Sequence, residues 1–94
     1  MRFEWDEHKN ESNIRKHGVS FKTASFVFDD PRLVMQQDRE IEGEPRWQTI
    51  GIVHGVLLLL VAHTYADEEE EEAVRIISAR RANAHERKRY EEEL

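Results

Sequence analysis

The chain has no cysteine, which removes disulfide staples, thiolate zinc sites and cysteine nucleophiles together and fits a reducing compartment. Its two prolines and four glycines are too few for a flexible linker, and no internal repeat is visible, so residues 1–94 read as one domain. The longest apolar run, residues 56–62, has seven members, where a membrane-spanning helix needs about twenty. The opening Met-Arg-Phe-Glu-Trp-Asp lacks the apolar stretch of a signal peptide, so the cytoplasm is the expected location, without a membrane. Cations are also in deficit: 14 Lys and Arg face 20 Asp and Glu, a net charge of −6. What is present is a 38% hydrophobic composition with two Trp, two Tyr and four Phe, enough to seed a small core that a partner subunit would help to complete.

The charge is unevenly placed. Residues 67–72 are six consecutive acids and residues 91–93 three more; without them the remainder is cationic. Residues 75–90 hold Arg75, Arg80, Arg81, Arg87, Lys88 and Arg89 against Glu86 alone. Such a patch attracts phosphate within a screening length of about 8 to 10 Å, whatever the total charge. A solvated face of helix-forming Arg and Lys explains the same composition equally well.

Local patterns give the order of elements. Residues 1–6 alternate, with Phe3 and Trp5 on one side, the period of a half-buried strand. Asp6 can cap a polar helix running through Lys16, which Gly18 stops. Ser20 can cap a second helix carrying Phe21, Ala24, Val27 and Phe28, which must end before Asp30-Pro31. Residues 32–37 and 46–53 read as strands around a polar loop over 38–45, and His54-Gly55 as a tight turn. The uninterrupted apolar residues 56–62 predict a central strand covered on both faces. Residues 73–79 return as a strand after the acidic run, which is too charged to bury and forms a solvated hairpin tip. Asn83 and Glu86 have capping-box spacing and open a last helix through Tyr90. Trp5, Phe28 and Trp47 fall in the core. The fold class is α+β: an antiparallel four-stranded sheet packed with N-terminal helices and a C-terminal helix, the helices able to cover one face.

Taken in order, certain segments resemble a known family. They are Phe3-Glu4-Trp5-Asp6 with Lys9, Lys16-His17-Gly18-Val19-Ser20-Phe21, Val27-Phe28-Asp29-Asp30-Pro31, Gly43-Glu44-Pro45-Arg46, and Arg75-Ile76-Ile77-Ser78-Ala79-Arg80-Arg81-Ala82 with Glu86 and Tyr90. This set is similar to the BrnT toxins over essentially the whole chain. The resemblance implies a small RelE-like domain and a ribonuclease toxin of a type II toxin–antitoxin pair. It also implies a BrnA-like antitoxin partner and a toxin homodimer inside a toxin–antitoxin heterotetramer. Two departures are Ala66, where relatives often carry a basic residue after Thr-Tyr, and the nearly pure acid run that follows.

Cutting RNA without a metal requires a base for the 2′-hydroxyl, cations for the phosphorane and an acid for the leaving 5′ oxygen. The five histidines show no helical pair three or four apart and the acidic run lacks the glycine of a calcium loop, so no metal site and no cofactor is expected. Arg80 and Arg81 can offer guanidinium forks to phosphate, with Arg46, Arg75 and Lys88 as further phosphate contacts. For Arg80 and Arg81 the alternative is a structural pair with Glu86 or another acid. Lys9 sits early in its helix, where the dipole disfavours a cation, which hints at another task. His17, at the helix end, suits an acid or a phosphate contact, and His63 is the better candidate base, although a lone strand-end histidine is more often simply hydrogen-bonded. Glu86 and Tyr90 share a helical face and can support a cleft. The leading expectation is RNA cleavage with Lys9, His17, His63, Arg80 and Arg81 as the catalytic set. The competing one is a binding module without catalysis whose basic face meets an antitoxin-like protein or nucleic acid.

Overall fold

A computed structural model describes residues 1–68 and 71–92; residues 69–70 and 93–94 and the side chains of residues 66–71 lie outside that description, and with them the middle of the acidic run expected as a hairpin tip, whose residues 67–68 and 71–72 are paired strand instead. The helix signals read from the sequence are used as expected. Asp6 accepts from the N–H groups of His8 (2.8 Å) and Lys9 (3.2 Å) to start α1 (Glu7–His17), and Gly18, at φ 69°, closes it by donating to the Ile14 carbonyl. Ser20 caps α2 (Phe21–Ser25) through the Thr23 N–H. The chain then tightens into a 3₁₀ turn, Phe26–Asp29, and leaves helical geometry at Asp30, ahead of Pro31.

Five strands are described: β1 (Arg2–Glu4), β2 (Val34–Ile41), β3 (Glu44–Val53), β4 (Leu57–Glu68) and β5 (Glu71–Arg81). Residues 38–45, expected as a polar loop, are mostly strand. Glu42 (φ 51°) and Gly43 (φ 79°) make a two-residue turn, and His54 (φ 54°) and Gly55 (φ 73°), with Val56 after them, a three-residue one between Val53 and Leu57. Two successive left-handed residues match the right-handed twist of paired strands, so the hairpins close with almost no loop. The sheet order is β1-β5-β4-β3-β2, a mixed five-stranded sheet rather than the expected antiparallel four. The fifth strand is β1, which pairs in parallel with β5 through Arg2↔Ala73, Phe3↔Val74 and Glu4↔Arg75. That register sets Phe3 beside buried Val74 and extends the core at the sheet's edge.

The helices cover both faces, not one. On the first face α1, α2 and the 3₁₀ turn pack Val19, Phe21, Ala24 and Val27 against Leu59, Val61, Val74 and Ile76. On the second, α3 (Ala84–Glu92) sets Tyr90 against Ile50, Leu58 and Leu60. Leu58 and Leu59 are 3% and 0% exposed, in line with the two-sided cover read from the apolar run. Val56 is 83% exposed because it belongs to the turn, and the strand begins one residue later. Trp5 and Phe28 pack partly buried at the margin of the first-face core, and Trp47 is half-buried. Gly51 lies so close to the 3₁₀ turn that a Cβ there would meet Val27 Cγ1 at 2.7 Å and the Val27 carbonyl oxygen at 2.9 Å.

Candidate functional site

Strand pairing decides which side chains share a face. Leu60↔Arg80, Ala62↔Ser78 and Thr64↔Arg75 put Arg75, Ser78 and Arg80 on the second face, the one carrying α3. Arg46 and Gln48 flank Trp47, which pairs with first-face His63, so they too stand on the second face. Beyond the apolar patch under α3, this face is therefore polar, with three arginines of which Arg75 and Arg80 each stand beside a carboxylate, Glu4 and Glu86. Arg46 is half-buried, and its Nε is enclosed without a hydrogen-bond partner. Arg75 lies 3.6 Å from Glu4 with 46% of its side chain exposed.

Where β5 passes into α3, Arg80 and Glu86 form a bidentate pair, Nη1 to Oε1 at 2.7 Å and Nη2 to Oε2 at 2.8 Å. The same carboxylate accepts the Asn83 N–H at 2.9 Å, while Asn83 Oδ1 accepts the Glu86 N–H at 2.8 Å. The capping box read from the sequence is thus fused to the ion pair. Arg80's hydrogen bonds hold the Glu86 carboxyl below its ordinary range against the opposing effect of burial, and the Asn83 N–H and the Arg89 charge act in the same direction. The far end of α3 is anchored by Tyr90, whose hydroxyl donates to Asp30 Oδ2 at 2.6 Å. Burial and the Asp30 carboxylate push the Tyr90 hydroxyl up to about 12, so it stays a donor. Asp30 also accepts the N–H groups of Ile52 (2.8 Å) and Arg32 (2.9 Å). Burial raises its pKa, but the hydrogen bonds from Tyr90, Ile52 and Arg32 outweigh that and bring it below the ordinary carboxylate value.

The other residues singled out from the sequence do not converge here. His63 is fully enclosed on the first face, 2.7 Å from Thr49 Oγ1 through Nε2 and edge-on to Phe28 and Tyr65 at 4.9 and 5.2 Å. Burial lowers its pKa to about 4, only partly countered by a Thr64 backbone hydrogen bond. A neutral imidazole with no path to solvent meets no substrate, so His63 is a core residue here. Arg81 is exposed and, opposite Leu59, points to the first face, away from Arg80. Lys9 and His17 line a cleft between α1 and β5 at the sheet's edge. Lys88 is exposed on α3, beside a shallow cleft shared with His85, Arg89 and Glu92. Two structural anchors escaped the sequence reading. Asp30 was legible only as a helix terminator, and Asn13, buried within an otherwise exposed polar helix, carried no periodic signal.

A family model described as "Ribonuclease toxin, BrnT, of type II toxin-antitoxin system" matches residues 5–86. The chain belongs to the BrnT toxin family. Among solved structures, the crystal structure of the Brucella abortus ribonuclease toxin BrnT is similar to it, with 27% sequence identity and a TM-score of 0.63 over 88% of this chain and 97% of that one. No curated protein matches. The BrnT match ends at Glu86 and so includes the whole Arg80–Glu86 pair. As a toxin of a type II system, this BrnT-family chain has an antitoxin for a partner.

Proposed function

We propose that this BrnT-family chain is an endoribonuclease that cuts RNA on the second sheet face beside α3, by attack of the 2′ oxygen and without a metal. It thereby inhibits translation in the cytoplasm until a BrnA-like antitoxin covers the same face. The observation that carries this reading is the Arg80–Glu86 pair, an ionised carboxylate and a guanidinium fork within 2.8 Å of each other at the margin of a face that also bears Arg46 and Arg75. A scissile phosphate entering this face competes with Glu86 for the Arg80 fork. Once displaced, Glu86 is a free base beside the held phosphate. It takes the 2′-hydroxyl proton, the 2′ oxygen attacks phosphorus, and the 5′ oxygen leaves with a proton from solvent while the cations hold the phosphorane charge.

Cleavage of RNA by the purified chain in excess chelator tests this directly. The wild type should cut and leave 2′,3′-cyclic phosphate ends. Glu86→Gln, which keeps the capping-box hydrogen bonds but gives up the charged pair with Arg80, should lose about 100-fold or more in kcat while still unfolding cooperatively, at a lower thermal midpoint. Undiminished cleavage by Glu86→Gln, or cleavage abolished by chelator, would refute the proposal. One observation favours the binding-module reading instead: Glu86 already fills the Arg80 fork. On that reading RNA binds and is never cut.

A further inference from the structure

We infer that the groove between α1 and β5 is a second anion site that holds phosphates of the same RNA strand away from the point of cleavage; this rests on the ribonuclease reading above. The groove has a volume of about 210 Å³ and is lined by Lys9, Ser12, Asn13, Lys16, His17, Ile77 and Ser78. The five α1 residues have the spacing of one helical face. Two lysines and a histidine stand exposed along it, and no lining residue is acidic. Among the described residues, the ion pairs join Arg2 to Glu4, Arg75 to Glu4 and Arg80 to Glu86, and none reaches Lys9, Lys16 or His17. Asp6, at the N-cap, is spent on the His8 and Lys9 N–H groups, and its charge interacts with that of Lys9 without forming an ion pair; the acids within α1 are turned elsewhere. Glu7 accepts from Trp5 Nε1 (3.2 Å) and Asn10 Nδ2 (2.9 Å), and Glu11, two residues from Lys9, does not face it.

Stabilisation of the helix does not explain this set. Lys16 and His17 suit the negative end of the α1 dipole, but Lys9, in the first turn, opposes it. The backbone is shaped around the groove as well. Ala62 pairs with Ser78 and His63 with Ile76, so Ile77 is an extra, bulged residue, and a bulge re-aims the side chains next to it. Ile77 gives the groove an apolar wall and Ser78 a hydroxyl. Asn13 is fully used as an anchor, donating to the carbonyls of Val19 (2.9 Å) and Ala79 (2.7 Å) and accepting the Ala79 N–H (3.1 Å). It fixes α1 to the strand and leaves ligand binding to the cations and hydroxyls.

Two features favour RNA over an acidic protein. Ser78 lines the groove and, opposite Ala62, also belongs to the second face, so a strand leaving the Arg75–Arg80 region crosses the β5 edge directly into the groove. Lys9 and Lys16 are about 10 Å apart along the helix axis, which suits a run of backbone phosphates rather than one carboxylate.

The test is the affinity of the full chain for uncleavable 2′-O-methyl RNA, read by fluorescence anisotropy, with a trinucleotide and an oligomer of about twelve nucleotides. In the wild type the longer RNA should bind about tenfold or more tightly than the shorter. Lys9→Glu with Lys16→Glu should erase most of that advantage and reduce the salt slope for the longer RNA by about 1.4. Arg15→Glu with Lys22→Glu makes the same charge change at exposed positions outside the groove and should keep the advantage. The inference is overturned if the groove variant retains the length dependence, if both double variants lose it equally, or if the groove variant weakens only antitoxin binding. Failure of the ribonuclease reading looks different: length-dependent binding that needs Lys9 and Lys16, with unmodified RNA left intact.

Discussion

Acidification to about pH 4.5 should destabilise the folded chain through His63 well before its carboxylates respond. The imidazole is fully buried and its pKa falls from 6.5 to about 4. Above pH 6.5 it is neutral in both folded and unfolded states and contributes no pH dependence. Between those two values the unfolded chain binds a proton that the folded chain refuses, so folding stability falls with pH at a slope approaching 1.4 kcal/mol per unit. From neutral pH down to 4.5 the loss is about 2.5 kcal/mol, a large share of the stability of so small a domain. The carboxylates of Asp6, Asp30 and Glu86, whose folded values are depressed, lose their contributions only lower down, as pH falls through the carboxyl range. The other four histidines are exposed. Urea unfolding at half-unit intervals from neutral to pH 4.5, for wild type and His63→Gln, isolates the effect, because glutamine can reach the Thr49 hydroxyl and does not titrate. The wild-type curve should slope and the variant's should flatten by about 2 kcal/mol over that range. Parallel curves would refute the buried neutral imidazole. RNA cleavage by His63→Gln at neutral pH should match the wild type, since His63 lies behind the sheet from the proposed site.

Gly51→Ala should cost about 1 to 3 kcal/mol, because its Cβ would meet the Val27 backbone oxygen at 2.9 Å as well as the flexible side chain; a thermal midpoint within a degree of wild type would contradict it. Asn13→Ala orphans the Ala79 N–H and carbonyl, so a loss of about 2 to 4 kcal/mol and faster hydrogen exchange at Ala79 are expected. Tyr90→Phe removes one donor from Asp30 but leaves those of Ile52 and Arg32. It should cost about 1 kcal/mol and speed exchange in α3 more than in β4.

Signals that act over a few residues were legible in the sequence: the Asp6 and Ser20 caps, the Gly18 stop and the Asn83–Glu86 box lie where chain-local chemistry puts them, and the central strand read over 56–62 is there from residue 57, running on to 68. Partnerships across the chain were not. The alternation of residues 1–6 marks a strand, yet nothing in it says that Arg2 pairs with Ala73, because parallel pairing is set by how the remaining elements close. The Glu42-Gly43 turn hides in a polar stretch, since glutamate gives no hint that it will adopt a left-handed conformation. The candidate site divides in the same way. Arg80 with Glu86 is six residues of local geometry, so their pairing could be weighed in advance. His63 turned on whether a strand-end histidine faces inward, which depends on the registers of β3 and β4 and on the rings of Phe28 and Tyr65. Lys9 and His17 are carried by α1 to the β5 edge, whereas Arg80 points across the sheet, so one presumed cluster becomes two places.

The carboxamide of Asn13 exchanges both of its hydrogen-bonding groups with the Ala79 backbone just where β1 has run out, as the main chain of a sixth strand would. A side chain thus occupies the docking position that an extended peptide would need beside the stretch of β5 that β1 leaves uncovered, and β1 itself is only three residues long. At the opposite flank β2 is long, but its pairing slips between Gln37 and Glu40 and it shows exposed Asp38, Arg39 and Glu40. Irregular pairing and charge are the means by which sheets discourage lateral annealing. Both flanks are therefore poor templates for strand-on-strand growth, and two molecules meeting at high local concentration have no ready route to a continuous intermolecular sheet.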